Sequence, residues 1–182
     1  MKRLGFLLGV MMLCTFIGLA ANHKSASAIN VAKVRQQCST YAKAKKHMTR
    51  ITFKVWDLKG NKKVTKTKSI LVNKLVAKKF KKAFDAIYRS KEKFPIHDVG
   101  GFDWRGSNKS LHSLGLAVDI NANENYMIDG RKVIAGSLWK PGKNPYSIPK
   151  KGSVVKCMKK HGFKQCLWGK RRDYMHFSVK GL

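Results

Sequence analysis

Apolar and polar residues alternate along Ile51-Thr-Phe-Lys-Val55, the period of a strand with one buried face. Alternation resumes, less cleanly, from Val64 to Val72, with Gly60-Asn61 between the two runs, and this pattern predicts a β-hairpin. At Asn73 the period changes. Val76, Phe80, Ala83, Phe84, Ile87 and Tyr88 recur mostly at three- and four-residue spacing, the stripe of an amphipathic helix. Asn73 is placed to cap that helix and Pro95 to stop it. Its opposite face is rich in lysine and reads as a solvated surface. Residues 30–48 carry a weaker helical pattern through Val31, Val34 and Tyr41.

Downstream, Ile96 to Val99 predicts a short strand before Gly100-Gly101, and residues 102–109 are polar and loop-like. Leu114 to Ile120 reads as a buried strand. Residues 121–150 hold Asn, Gly and three of the four prolines, which predicts a long loop. Gly152 to His161 reads as a short helix, and Phe163 to Trp168 and Met175 to Val179 as strands. These elements predict one α+β domain, a small and mainly antiparallel sheet with flanking helices.

The N-terminus does not fit that domain. Lys2 and Arg3 precede an apolar run from Leu4 to Ala21, and Ser25-Ala-Ser-Ala28 then offers small residues. This order predicts a secretory signal peptide, residues 1–28, cleaved after Ala28. The alternative, a membrane anchor, would have an apolar run barely long enough to span. A lipid anchor on Cys14 is disfavoured by Leu13, where a small residue is expected. The expected organisation is a leader over 1–28, a basic segment over 29–49 and a folded domain over 50–182. The expected location is secreted, in the periplasm or the cell wall, with no transmembrane anchor after cleavage.

Export changes the meaning of the charge. The chain holds 39 Lys and Arg against nine acids, a net charge of +30. Losing Lys2, Arg3 and Lys24 lowers this to +27. Such a charge predicts an anionic partner. In the cytoplasm that would be nucleic acid first; outside, anionic cell-wall polymers and phospholipid surfaces take its place, nucleic acid is not expected, and a solvated basic surface with no specific ligand is the bland alternative. Cleavage also leaves three cysteines, Cys38, Cys157 and Cys166. Cys157 and Cys166 could bridge or remain as buried thiols.

Two segments carry candidate chemistry. Ser110-Leu-His112-Ser-Leu-Gly-Leu-Ala-Val-Asp119 supplies one imidazole and one carboxylate, and Asp173-Tyr-Met-His176-Phe supplies another of each. Asp119 lies between Val118 and Ile120, where a buried carboxylate needs a cation or several donors. Two histidines and one carboxylate form a zinc-ligand set with a fourth position open, the composition of a hydrolytic site. Asp173, three residues before His176, is then free to act as acid and base. Its bland alternative is an ion pair with Arg171 or Arg172. Among the other histidines, His97 is the one reserve ligand.

Ser110-x-His112-x-x-Gly115-x-Ala117-x-Asp119 followed by Asp173-x-x-His176-Phe177 resembles the zinc peptidoglycan peptidases. That family holds D-alanyl-D-alanine carboxypeptidases of the VanY type and L-alanyl-D-glutamate endopeptidases, phage endolysins among them. Val72-Asn73, Ile87-Tyr88, Phe94-Pro95-Ile96, Asp119-Ile-Asn121 and Gly162-Phe163 are similar to the endopeptidase branch. The resemblance spans about residues 50–180. It implies a DD-peptidase/Hedgehog-like fold, Zn2+ on His112, Asp119 and His176, and Asp173 as the catalytic acid/base. It further implies Arg105 as a catalytic arginine that contacts the scissile carbonyl or a substrate carboxylate, and Ser110 and Trp168 as substrate-binding residues. The implied substrates are peptidoglycan stem peptides. Lys164-Gln-Cys-Leu-Trp168 departs from the family's Trp-Gly-Gly-x-Trp run, so the wall beside Asp173 is expected to differ in shape and charge.

Overall fold

The computed structural model describes residues 29–181; the expected leader lies outside them. Residues 30–48, read as one helical stretch, form two helices: α1 (Val31–Gln37) and α2 (Tyr41–His47). The break falls where Thr40 takes an extended backbone, φ −133° and ψ 163°, and its hydroxyl accepts a hydrogen bond from Lys43 N at 3.3 Å. Asn30 caps α1 in the same way, accepting from Lys33 N at 3.1 Å. Val31, Val34, Cys38 and Ala44 are buried in the core that residues 50–180 also build. The basic N-terminal segment is therefore packed against the remainder.

The hairpin forms as expected, from β1 (Met48–Lys59) and β2 (Lys62–Asn73). Lys59 pairs with Lys62, which leaves Gly60-Asn61 as a two-residue turn with Gly60 at φ +59°. Ile51, Phe53 and Val55 share the buried face of β1, the outcome that alternation demands. Helix α3 (Lys74–Tyr88) packs on that face, with Phe53 and Phe84 stacked at 3.9 Å between centroids. It ends well before Pro95. Ser90 Oγ donates to Ile87 O at 2.7 Å and Trp56 Nε1 to Tyr88 O at 2.8 Å, so side chains satisfy the last carbonyls.

The remaining strands make a second, antiparallel sheet: β3 (Val99–Gly100), β4 (Ala117–Ile120), β5 (Met127–Asp129), β6 (Lys132–Ala135), β7 (Lys164–Trp168) and β8 (Arg171–Ser178). Strand β8 is its centre. β7 runs along one edge; β4 and β5 pair with successive stretches of the other, residues 176–178 and 171–173. Helix α4 (Ser153–Lys160) buries Val154 and Met158. Beyond it, Phe163 stacks on Phe80 of α3 at 3.8 Å, joining the two layers. The protein is a small single-domain α+β fold.

Two expectations need correction. The apolar run from Leu114 enters a turn before the strand begins at Ala117; Leu114 and Leu116 are buried all the same, which is why the run looked continuous. Residues 121–150 are not a bare loop, because they hold the β5–β6 hairpin. Two buried asparagines tie this excursion down. Asn121, at φ +47°, donates to Pro95 O at 3.0 Å and to Tyr146 O at 3.1 Å. Asn125 accepts from Ile148 N at 2.6 Å and donates to Tyr146 O at 2.9 Å. All three cysteines are free thiols, so the Cys157–Cys166 bridge is not formed. Among the described residues no helix is long and apolar enough to cross a membrane.

Candidate metal centre and active-site cleft

His112 sits in the turn between residues 111 and 115, and Asp119 two residues into β4. The turn needs a glycine at 115. Its φ is +63°, and a side chain there would meet Met48 Sδ and, at 2.6 Å, the Asn73 backbone nitrogen. With Gly115 in place, its carbonyl accepts from Asn73 N at 2.9 Å.

His176 lies opposite Asp119 in the β4–β8 register. Asp173 lies three residues earlier on the same strand, and residues three apart on a regular strand face opposite ways. A bulge resolves the conflict. Gln165 pairs with Phe177 but Cys166 pairs with Asp173, so Tyr174 to His176 of β8 have no counterparts in β7. Asp173 and His176 thereby line one cleft of about 300 Å³.

Three side chains converge at its floor. His112 Nε2 lies 3.1 Å from Asp119 Oδ2 and 3.1 Å from His176 Nδ1, and His176 Nδ1 lies 3.1 Å from Asp119 Oδ1. One ligand atom from each falls within 4.8 Å of the others. His112 Nδ1 faces Gly101 O at 2.8 Å, which assigns its proton to that nitrogen and leaves the Nε2 lone pair facing the cluster. His112 and His176 are 3% and 7% exposed. Burial by itself would raise the Asp119 pKa, but hydrogen bonds and charge from both histidines hold it well below the usual carboxylate range. Burial likewise lowers the His112 pKa, and the hydrogen bond and charge of Asp119 more than reverse it. Two imidazole nitrogens and a carboxylate packed this closely suit a shared cation, and the donor set matches the preference of zinc.

Asp173 has no ion pair with Arg171 or Arg172, so the bland alternative does not describe it. Its Oδ1 is buried without a hydrogen-bond partner. Burial, and then the negative charge of Asp119, push its pKa up to about 6, against the pull of His176 and the Met175 N–H. Such an acid sits near the operating pH of a proton shuttle.

The other candidates fall at different depths. Ser110 lines the cleft, and its hydroxyl accepts from His112 N at 3.2 Å, which supports the ligand-bearing turn. Arg105 lines the mouth, more than half exposed, with Nε 2.9 Å from Asp103 Oδ2. Trp168 pairs with Arg171 through the backbone at the end of β7, and its side chain lies outside the described residues. His97 is away from the cluster, with Nε2 2.8 Å from Glu124 Oε2. Sequence reasoning missed Cys166 and Met127 in the cleft wall, along with Arg35, Lys109, Arg171 and Lys180. Register and a helix outside both motifs bring these in, and neither leaves a local mark in the sequence.

Residues 104–179 match a family model described as D-alanyl-D-alanine carboxypeptidase. The match covers His112, Asp119, His176, Asp173, Arg105, Ser110 and Trp168, and leaves α1 to α3 and the hairpin outside. No curated protein and no solved structure matches the chain. Through residues 104–179, the segment that builds the cleft, this chain is similar to the D-alanyl-D-alanine carboxypeptidase family of peptidoglycan-acting peptidases.

Proposed function

We propose that this protein is an exported zinc peptidase that hydrolyses peptidoglycan stem peptides, with the L-Ala-D-Glu bond as its target. The observation that carries the reading is a cluster of His112, Asp119 and His176 in one cleft with Asp173, whose Oδ1 is buried without a partner. His112, Asp119 and His176 would hold the zinc. When bound, zinc supplies Lewis acidity toward an amide carbonyl.

The chain's own groups do the rest. Gly101 O orients the His112 ring, and the β8 bulge aims Asp173 at the ground beside the ligands. Asp173 Oδ1, free of partners, accepts a proton from the attacking water and returns it to the leaving amine nitrogen. Arg105, at the mouth, is within the cleft wall and meets the carbonyl oxygen or a substrate carboxylate. Ser110 holds the turn and offers a hydroxyl to substrate. The basic surface keeps the enzyme on anionic wall polymers.

A second reading, D-Ala-D-Ala carboxypeptidase, is favoured by the description of the matched family. Digestion of purified muropeptides by the mature protein separates the two, since mass spectrometry identifies the new termini. Cleavage abolished by chelator and restored by zinc is the expected result. Fully zinc-loaded protein that cleaves no stem peptide refutes the proposal.

A further inference from the structure

Helix α1 lies outside the family-matched segment, yet it forms part of the cleft. Val31 and Arg35 line the same cavity as His112, Asp119 and Asp173. Arg35 is fixed there by two long-range bonds. Its Nη2 donates to Lys109 O at 3.0 Å, and its own carbonyl accepts from Asn108 Nδ2 at 2.8 Å. These bonds clamp α1 to the loop that leads into the His112 turn. Buried Val31 and Val34 seat the helix from below.

The charge around the cavity is unbalanced. Arg35, Arg105, Lys109, Arg171 and Lys180 line it, against Asp119 and Asp173. Asp119 is engaged by the two histidines, and Arg105 by Asp103. Arg35, Lys109, Arg171 and Lys180 have no carboxylate partner among the described residues. A bound dication would make the cavity more positive still. Four unpaired cations round a cleft of this size suit a substrate that brings its own negative charge. A guanidinium held at one edge by a backbone carbonyl still has donors free for a carboxylate.

We infer that Arg35 of α1 is a specificity residue of the cleft, which recognises a free carboxylate on the substrate peptide and disfavours the corresponding carboxamide. This deepens the stem-peptide reading and rests on it. The relevant group is the free carboxylate of the glutamyl residue, distinct from a C-terminal carboxylate met at Arg105. α1 is thus a substrate-reading element added to the family's catalytic segment.

The test uses two synthetic stem pentapeptides that differ only in carboxylate or carboxamide at the glutamyl residue. Binding is measured by calorimetry on the Asp173→Asn protein, with and without Arg35→Gln or Arg35→Lys. Cleavage is measured on zinc-loaded protein with Asp173 intact. The carboxylate peptide is expected to bind about tenfold more tightly than the carboxamide. Arg35→Gln should erase that preference through KM with little change in kcat, and Arg35→Lys should restore part of it. Higher salt should shrink the preference. Equal binding of the two peptides, or an Arg35→Gln loss that is the same for both, overturns the inference. The second pattern is what a purely structural clamp would give, and Arg35→Lys controls for folding. If neither peptide is cut by zinc-loaded protein, the activity reading fails, while the binding comparison still decides the role of Arg35.

Discussion

Replacing Asp173 by Asn should stabilise the metal-free protein at alkaline pH while it destroys catalysis. The side chain is half-buried, its Oδ1 is buried without a partner, and Asp119 stands near it with the same charge. Its pKa is pushed up from 3.8 to about 6. That displacement corresponds to about 3 kcal/mol between the two protonation states. Because the folded pKa is raised, the fold favours the protonated acid. The stability this contributes is complete below the unfolded value of about 4 and is lost as pH rises through about 6. At pH 8 the ionised carboxylate therefore burdens the metal-free fold, and Asn, which cannot ionise, removes the burden. Residual solvent access reduces the gain to on the order of 1–3 kcal/mol. Urea unfolding in EDTA should show the variant ahead at pH 8 and level with the parent at pH 4. In the zinc-loaded parent a dication beside Asp173 lowers its pKa, so the rising limb of activity should fall below pH 6, and the variant should lose roughly 10²–10⁴-fold in rate. A variant no more stable than the parent at pH 8, or one that keeps its rate, refutes the assignment of Asp173 as a strained acid/base.

Zinc should raise the melting temperature of the parent, since a ligand at about 100 times its Kd adds about 2.7 kcal/mol. His112→Ala should lose both the thermal shift and the bound zinc measured by elemental analysis. Gly115→Ala should cost more than about 2 kcal/mol in urea unfolding, because φ +63° and a 2.6 Å approach to Asn73 N both oppose a side chain; a smaller loss would mean the turn relaxes freely.

The sequence carried the parts of this fold that depend on local period and chemistry. Alternation marked the hairpin, the stripe from Val76 to Tyr88 marked α3, and Asn73 marked its cap, whose Oδ1 accepts from Leu75 N at 3.1 Å. The ligand cluster was visible because His112, Asp119 and His176 sit in two short motifs. What sequence missed depends on distant partners. The end of α3 is set by Trp56 and Ser90 side chains rather than by Pro95. The β5–β6 hairpin is held by the pairing of β5 with residues 171–173 of β8, while buried Asn121 and Asn125 fasten the flanking loop to Pro95, Tyr146 and Ile148. The β8 bulge, which gives Asp173 and His176 a common face, is a property of pairing with β7 and cannot be read from either strand alone.

The half of the chain outside the family match contributes to the chemistry through the ligands it orients. The end of β2 forms a shelf under the His112 turn. Asn73 donates from its backbone to Gly115 O at 2.9 Å and from Nδ2 to Leu114 O at 3.0 Å, while its Oδ1 caps α3. Beside it, Leu71 O accepts from Phe102 N at 2.7 Å, and this fixes the segment whose Gly101 carbonyl orients the His112 ring. A side chain at Gly101 would collide with Leu71 O, so that approach is as close as backbone allows. Groups that set a ligand's tautomer and direction govern metal affinity strongly, by about 10- to 100-fold on loss. The hairpin is thereby part of the candidate metal centre's support, and α1 part of its cleft. Conservation of the two motifs alone would not be enough to rebuild this site: it also needs Asn73 to join the hairpin, α3 and the ligand turn in one buried side chain.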